Sequence, residues 1–136
     1  MKINGKDYRS VWMEGKSVVM IDQKALPYEF KLVKLVTYQD TARAITDMTV
    51  RGAPAIGAAA CYGMAQGAQV GELERAAQVL SKARPTAYDL FDAIEYFKKN
   101  YKGGEPQNVA DTYANISADR CKKIGEIGEK LINDGA

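Results

Sequence analysis

The chain has 136 residues, 46% of them hydrophobic and 26% charged, with a formal net charge of +2. That length makes one ordinary domain that folds without disulfide or metal staples. The small net charge, with no basic run longer than Lys98-Lys99 or Lys122-Lys123, argues against a nucleic-acid partner. The absence of histidine removes the commonest metal ligand and general base, so a zinc centre or a Ser-His-Asp hydrolase built from this chain is not expected. Cys61 and Cys121 are far apart without metal-ligand spacing, and both read as packed core thiols. No signal-peptide core or bilayer-length apolar run is present, so a cytoplasmic protein with no membrane partner is expected.

Residues 1–36 read as strands and turns. Asn4-Gly5 is a hairpin signal. Val18 to Asp22 is a β-branched apolar run that follows the turn-like Glu14-Gly15-Lys16 and ends before Leu26-Pro27. Lys31 to Val36 is a further strand candidate, and together these predict a small antiparallel sheet or a pair of hairpins.

From Thr37 to the end, residues 37–136, the pattern is helical. Thr37 and Asp40 have capping-box spacing, with Ala42, Ile45 and Met48 on one face of the helix that follows. A turn over residues 50–53 leads to Pro54, expected at the first position of a helix running to about Gly67. A third helix is predicted over about 72–82, and a fourth over about 87–101 with Leu90, Ile94, Phe97 and Tyr101 inward. The break Lys102 to Pro106 precedes a long helix over about 108–133. Its periodic residues Tyr113, Ile116, Arg120, Ile124, Ile127 and Leu131 read as a core face. The predicted class is α+β: a small N-terminal antiparallel sheet followed by a bundle of about five helices.

The run Arg51-Gly52-Ala53-Pro54-Ala55-Ile56-Gly57 is where chemistry is expected. The first amides of a helix lack intrahelical acceptors and sit at the positive end of its dipole, which makes an anion site. Gly52 allows a sharp turn and a close ligand approach, Ala53 keeps that approach open, and Arg51 brings a planar fork suited to phosphate. The small residues Ala55, Gly57, Ala58, Ala59, Ala60 and Gly63 fit equally well a tightly packed core helix with an N-terminal proline. Arg84-Pro85-Thr86-Ala87 repeats the pattern, with Thr86 a candidate N-cap. Two arginines before two helix starts clamp one phosphate if the starts converge; otherwise these are two ordinary capped helices.

These residues resemble a known family. Ala44-Ile45, Met48 and the run from Val50 to Gly57, followed by Ala58-Ala59-Ala60 and Tyr62-Gly63, look like the N-terminal signature of methylthioribose-1-phosphate isomerases. The wider group includes ribose-1,5-bisphosphate isomerases and the regulatory subunits of eukaryotic translation initiation factor two-B. Trp12, Gly15, Ile21-Asp22-Gln23 and Leu26-Pro27 fit the family's opening segment, and Arg84-Pro85-Thr86-Ala87 its second substrate motif. The resemblance implies an aldose–ketose isomerase of methionine salvage, converting methylthioribose 1-phosphate to methylthioribulose 1-phosphate without metal or organic cofactor, and homodimeric in full-length form. It implies Arg51, Gly52, Ala53 and Arg84 as substrate-binding positions. It also places the catalytic cysteine and aspartate in a following Rossmann-like domain, so this chain is expected to lack that domain, to carry no catalytic residue and to be inactive alone. Tyr88-Asp89 departs from the family's more usual Val-Asn, which bears on the exact substrate. The alternatives are a ribose-1,5-bisphosphate isomerase and a non-catalytic ligand-sensing module like the initiation-factor subunits.

Overall fold

The computed structural model describes residues 2–135. A two-residue hairpin opens the chain: β1 (Lys2–Ile3) pairs antiparallel with β2 (Lys6–Asp7) through Asn4 and Gly5, both at positive φ (50° and 78°). That is the conformation a type I′ turn demands, and Asn-Gly is the pair that adopts it most readily.

The main sheet has three antiparallel strands, with β4 (Ser17–Ile21) between β3 (Val11–Glu14) and β5 (Leu32–Leu35). β3 was not anticipated as a strand. It alternates cleanly, with Val11 and Met13 buried and Glu14 exposed, and it pairs Glu14 with Ser17 across Gly15-Lys16. Every residue of β4 is buried, as expected of the central strand of a sheet covered by helices.

Five helices follow: α1 (Tyr38–Thr46), α2 (Ala53–Gln69), α3 (Leu73–Ser81), α4 (Tyr88–Asn100) and α5 (Pro106–Glu129). The Thr37–Asp40 capping box is complete in both directions. α1 then ends at Thr46, and Met48 lies beyond it at φ 66° with 41% exposure. Met48 is therefore in the turn and not on the helix face with Ala42 and Ile45.

α2 is the hub, buried from Ile56 through Gly67 and packed by each of the other helices and by β3 and β4. Its small residues permit this. A Cβ on Gly67 would sit 2.3 Å from the Cβ of Ala76 in α3, and one on Gly63 2.9 Å from Leu80 Cδ2. Gln66, 3% exposed, ties the layers together. It accepts from the buried Thr41 hydroxyl (2.7 Å) and donates to the backbone oxygens of Leu35 (3.0 Å) and Lys16 (3.3 Å).

The expected core face of α5 is only half right. Tyr113 is 7% exposed, but Ile124, Ile127 and Leu131 are 71, 58 and 82% exposed, and Cys121 is exposed whereas Cys61 is fully buried. Helical periodicity was correct as far as Glu129, where α5 ends short of the expected 133 and before Leu131; the assumption that a neighbour covers the whole face was not. No parallel β-α-β unit occurs among the described residues, and no helix there is long and apolar enough to cross a membrane.

Candidate functional site

The turn before α2 is built by its neighbours. Asp47 caps the end of α1, and its carboxylate accepts from both the Thr49 amide (3.0 Å) and hydroxyl (2.7 Å) and pairs with Lys24 (3.1 Å). Partial burial works to raise the Asp47 pKa, but the Thr49 hydrogen bonds and the Lys24 charge prevail and hold it below the usual carboxylate value. The loop after β4 braces the same turn: the Gln23 amide donates to Thr49 O (2.9 Å), and its side chain to Arg51 O (3.4 Å). Arg51 is thus presented from a segment fixed at several backbone points.

Gly52 is the N-cap of α2, at φ 88° and ψ 131°, with no side-chain capping bond. Ala53, and not Pro54, takes the first helical position, and Pro54 the second. The first intrahelical bond runs from Ile56 N to Gly52 O (2.9 Å). The amides of Ala53 and Ala55 therefore point out of the helix end without acceptors, while Pro54 has no amide to offer. Gly52 needs its positive φ to make this corner, and a Cβ there would meet nothing within 4 Å. Residues 51–54 are all exposed.

Arg84 reaches the same end of the bundle by another route. The Thr46 hydroxyl, in the last turn of α1, donates to Ala83 O (3.1 Å), fixing the residue before Arg84 beside the start of the Asp47–Arg51 turn. The first turn of α4 is pressed onto α2. A Cβ on Gly57 would lie 3.1 Å from Asp89 O and 2.8 Å from the Tyr113 hydroxyl. Tyr113 Oη stands 3.2 Å from the Asp92 carboxylate, and burial followed by that charge raises its pKa, so it remains a neutral donor. The helix starts that follow Arg51 and Arg84 thus lie side by side. Among the described residues neither arginine side chain has an ion pair or hydrogen bond.

Thr86 is not a cap: Ala87 holds that position, again without a side-chain bond. Tyr88, 79% exposed, stands at the same helix start. Arg9 carried no local signal in the sequence, yet its guanidinium bonds Asn115 Oδ1 at 2.6 Å and joins the N-terminal segment to α5. Burial raises the Cys61 pKa far above neutrality, Asp47 is committed to Thr49 and Lys24, and no group of potential metal ligands occurs among the described residues.

A family model described as the initiation factor 2 subunit family matches residues 49–136, which include the turn, both arginines and α2 to α5. The chain is 50% identical over 101 residues to a methylthioribose-1-phosphate isomerase of Paramagnetospirillum magneticum, covering 70% of this chain and 28% of that protein. It is 39% identical to the methylthioribose-1-phosphate isomerase of Methylorubrum extorquens, covering 98% of this chain and 40% of that protein. Among solved structures, 5-methylthioribose 1-phosphate isomerase from Pyrococcus horikoshii matches at 38% identity and TM-score 0.71, over 85% of this chain and 37% of that one. Translation initiation factor eIF-2B subunit delta from A. fulgidus matches at 34% identity and TM-score 0.78, over 95% and 43%. The chain spans about two fifths of the length of the relatives it matches along most of its length. Since the family model takes in well over half of the sequence, the chain belongs to the initiation factor 2 subunit family.

Proposed function

We propose that this chain is the substrate-binding part of an aldose–ketose isomerase acting on a pentose 1-phosphate, with 5-methylthioribose 1-phosphate as the first candidate. The observation that carries the reading is the pair of unpartnered arginines, Arg51 and Arg84, at adjoining helix starts beside the uncapped amides of Ala53 and Ala55. A phosphate dianion there gains charge-assisted hydrogen bonds from two guanidinium forks and the favourable end of a helix dipole. Arg51, Gly52, Ala53 and Arg84 are the binding positions in this proposal. The names of the relatives supply the sugar.

Residues 1–36 and 37–136 form one domain in this account, the strand layer backing the helices that hold the site. The isomerisation moves a proton between adjacent carbons and needs a general acid–base pair. In this proposal that pair is placed, as the family resemblance implies, in residues outside residues 1–136. The purified 136-residue chain is therefore expected to bind pentose 1-phosphates without turning them over. Titration of ribose 1-phosphate into the chain and into Arg51→Ala tests this: binding lost in the variant supports the reading. Equal affinity, or turnover by the chain alone, contradicts it.

A second reading is a ligand-sensing module without catalysis. It is favoured by the better superposition on the initiation-factor subunit than on the isomerase. It predicts the same phosphate contact and no turnover even by the longer protein.

A further inference from the structure

The far end of α2 carries a site of its own. The helix runs 17 residues from Ala53 to Gln69, which at about 1.5 Å per residue puts its two ends about 24 Å apart. At that far end the β3–β4 turn, the start of α1 and the end of α2 enclose a cavity of about 420 Å³. Its walls are mostly apolar, with Val36, Val70 and the Tyr38 ring among them, and Lys16 and Glu72 are its two charged lining residues. Val36 and Val70 are 65 and 62% exposed, so this apolar surface faces water.

The polar groups around the cavity are fixed in place. Gln66 has its donors on Lys16 O and Leu35 O and its oxygen on Thr41, which holds the Lys16 backbone beside the end of β5. The buried Tyr38 crosses from α1 and donates its hydroxyl to Glu72 Oε2. That neutral hydroxyl leaves the carboxylate charge uncompensated: Glu72 makes no ion pair among the described residues, with Arg75 or any other cation. The Lys16 ammonium likewise has no ion pair or hydrogen bond among the described residues. One positive and one negative charge thus border the same small, apolar-walled space without pairing to each other.

We infer that this cavity binds a small zwitterion with an apolar tail, a free α-amino acid of about leucine size. Its carboxylate meets Lys16, its ammonium meets Glu72, and its side chain covers Val36 and Val70. The inference is independent of the proposed function. A ligand with only one charge leaves either Lys16 or Glu72 unpaired beside it, and a neutral ligand leaves both. The last carbonyls of α2 add partial negative charge on the Glu72 side, which favours the ammonium there. A volume of this order, with apolar walls and a few polar groups, is the usual form of a small-molecule site.

The test is amide NMR titration of the 136-residue chain with L-leucine, L-leucinamide, 4-methylpentanoate and glycine. The last three lack in turn the carboxylate, the ammonium and the apolar tail. Leucine should shift the amides of Val36 and Val70 and bind about tenfold or more tightly than each of the others, the usual worth of one charge-assisted contact. Lys16→Gln should weaken leucine about tenfold and leave leucinamide unchanged. Glu72→Gln, which keeps an oxygen for the Tyr38 hydroxyl, should weaken leucine similarly and leave 4-methylpentanoate unchanged. Lys16 lies in an exposed turn, so its variant decides the matter even where Glu72→Gln disturbs α3. No shift with leucine at Val36 and Val70, equal affinity for leucine and any of the three comparison compounds, or leucine affinity unaltered in Lys16→Gln overturns the assignment.

Discussion

Replacing Gly57 by alanine puts the joint between the two helix starts under direct test. In an ordinary helix interior the change is favourable by about 1 kcal/mol, because alanine loses less backbone entropy than glycine. Here the new methyl would stand 2.8 Å from the Tyr113 hydroxyl, 3.2 Å from its ring and 3.1 Å from the backbone oxygen of Asp89. The backbone oxygen cannot swing aside, and Tyr113 is 7% exposed with little room to retreat. Overpacking of a filled interface costs about 1–3 kcal/mol, and pushing Tyr113 away from Asp92 strips a partly buried hydroxyl of its acceptor for about 1 kcal/mol more. The clash therefore outweighs the propensity gain, for a net loss of about 1–3 kcal/mol. With about 2.1 cal/mol/K of unfolding entropy per residue, each kcal/mol shifts Tm by about 3.5 °C, so Gly57→Ala should melt about 4–10 °C lower. Gly125 in α5 is the matched control, since a Cβ there meets nothing within 4 Å, and Gly125→Ala should raise Tm by up to about 3 °C or leave it unchanged. Thermal unfolding followed by circular dichroism reads both. A Tm for Gly57→Ala equal to or above wild type would refute the claim that α2 and α4 meet this tightly.

Other expectations concern single layers of the structure. Gln66→Ala removes the acceptor of the Thr41 hydroxyl and the donor to Leu35 O, and should cost about 2–4 kcal/mol in urea unfolding, from a lost buried network and the space left behind. Asp47 has its folded-state pKa depressed, so its contribution to stability is present above the unfolded carboxylate value of about 4 and is lost as pH falls through the lower folded value. Asp47→Asn should accordingly weaken the chain near neutral pH yet flatten the fall in stability below about pH 4, as urea midpoints across that range will show. Ile124→Ser and Leu131→Ser should change stability by less than about 0.5 kcal/mol, since both side chains are mostly exposed.

Where the deciding interaction is local, the sequence was informative. The Thr37–Asp40 box, the Asn4-Gly5 turn and the inward stripe Leu90-Ile94-Phe97 are all read from neighbours within one turn, and all are present. β3 was missed although Val11 and Met13 alternate correctly, because four residues with a tryptophan and a glutamate carry little signal without their partner strand. α5 failed in the opposite sense: Ile124 and Ile127 have the right spacing, but periodicity states which residues share a face and not what covers it. The candidate site divides the same way. Arg51, Gly52 and Ala53 could be picked out from the helix-start logic, and Arg84 from its repetition. That the two starts adjoin depends on Gly57 against Asp89 and on Thr46 holding Ala83, contacts between residues 32 and 37 positions apart that no local pattern encodes. Arg9 finds its partner Asn115 across 106 residues.

Arg51 and Arg84 are proposed to hold one phosphate between them. A double-mutant cycle on ribose 1-phosphate binding tests it most directly, with Arg51→Ala, Arg84→Ala and the pair measured in the same buffer at low and moderate salt. Each single change should weaken binding about tenfold or more, and the double change should fall short of the product because each arginine depends on the phosphate position set by the other. Binding that survives either single substitution, or two losses that multiply independently, would contradict it.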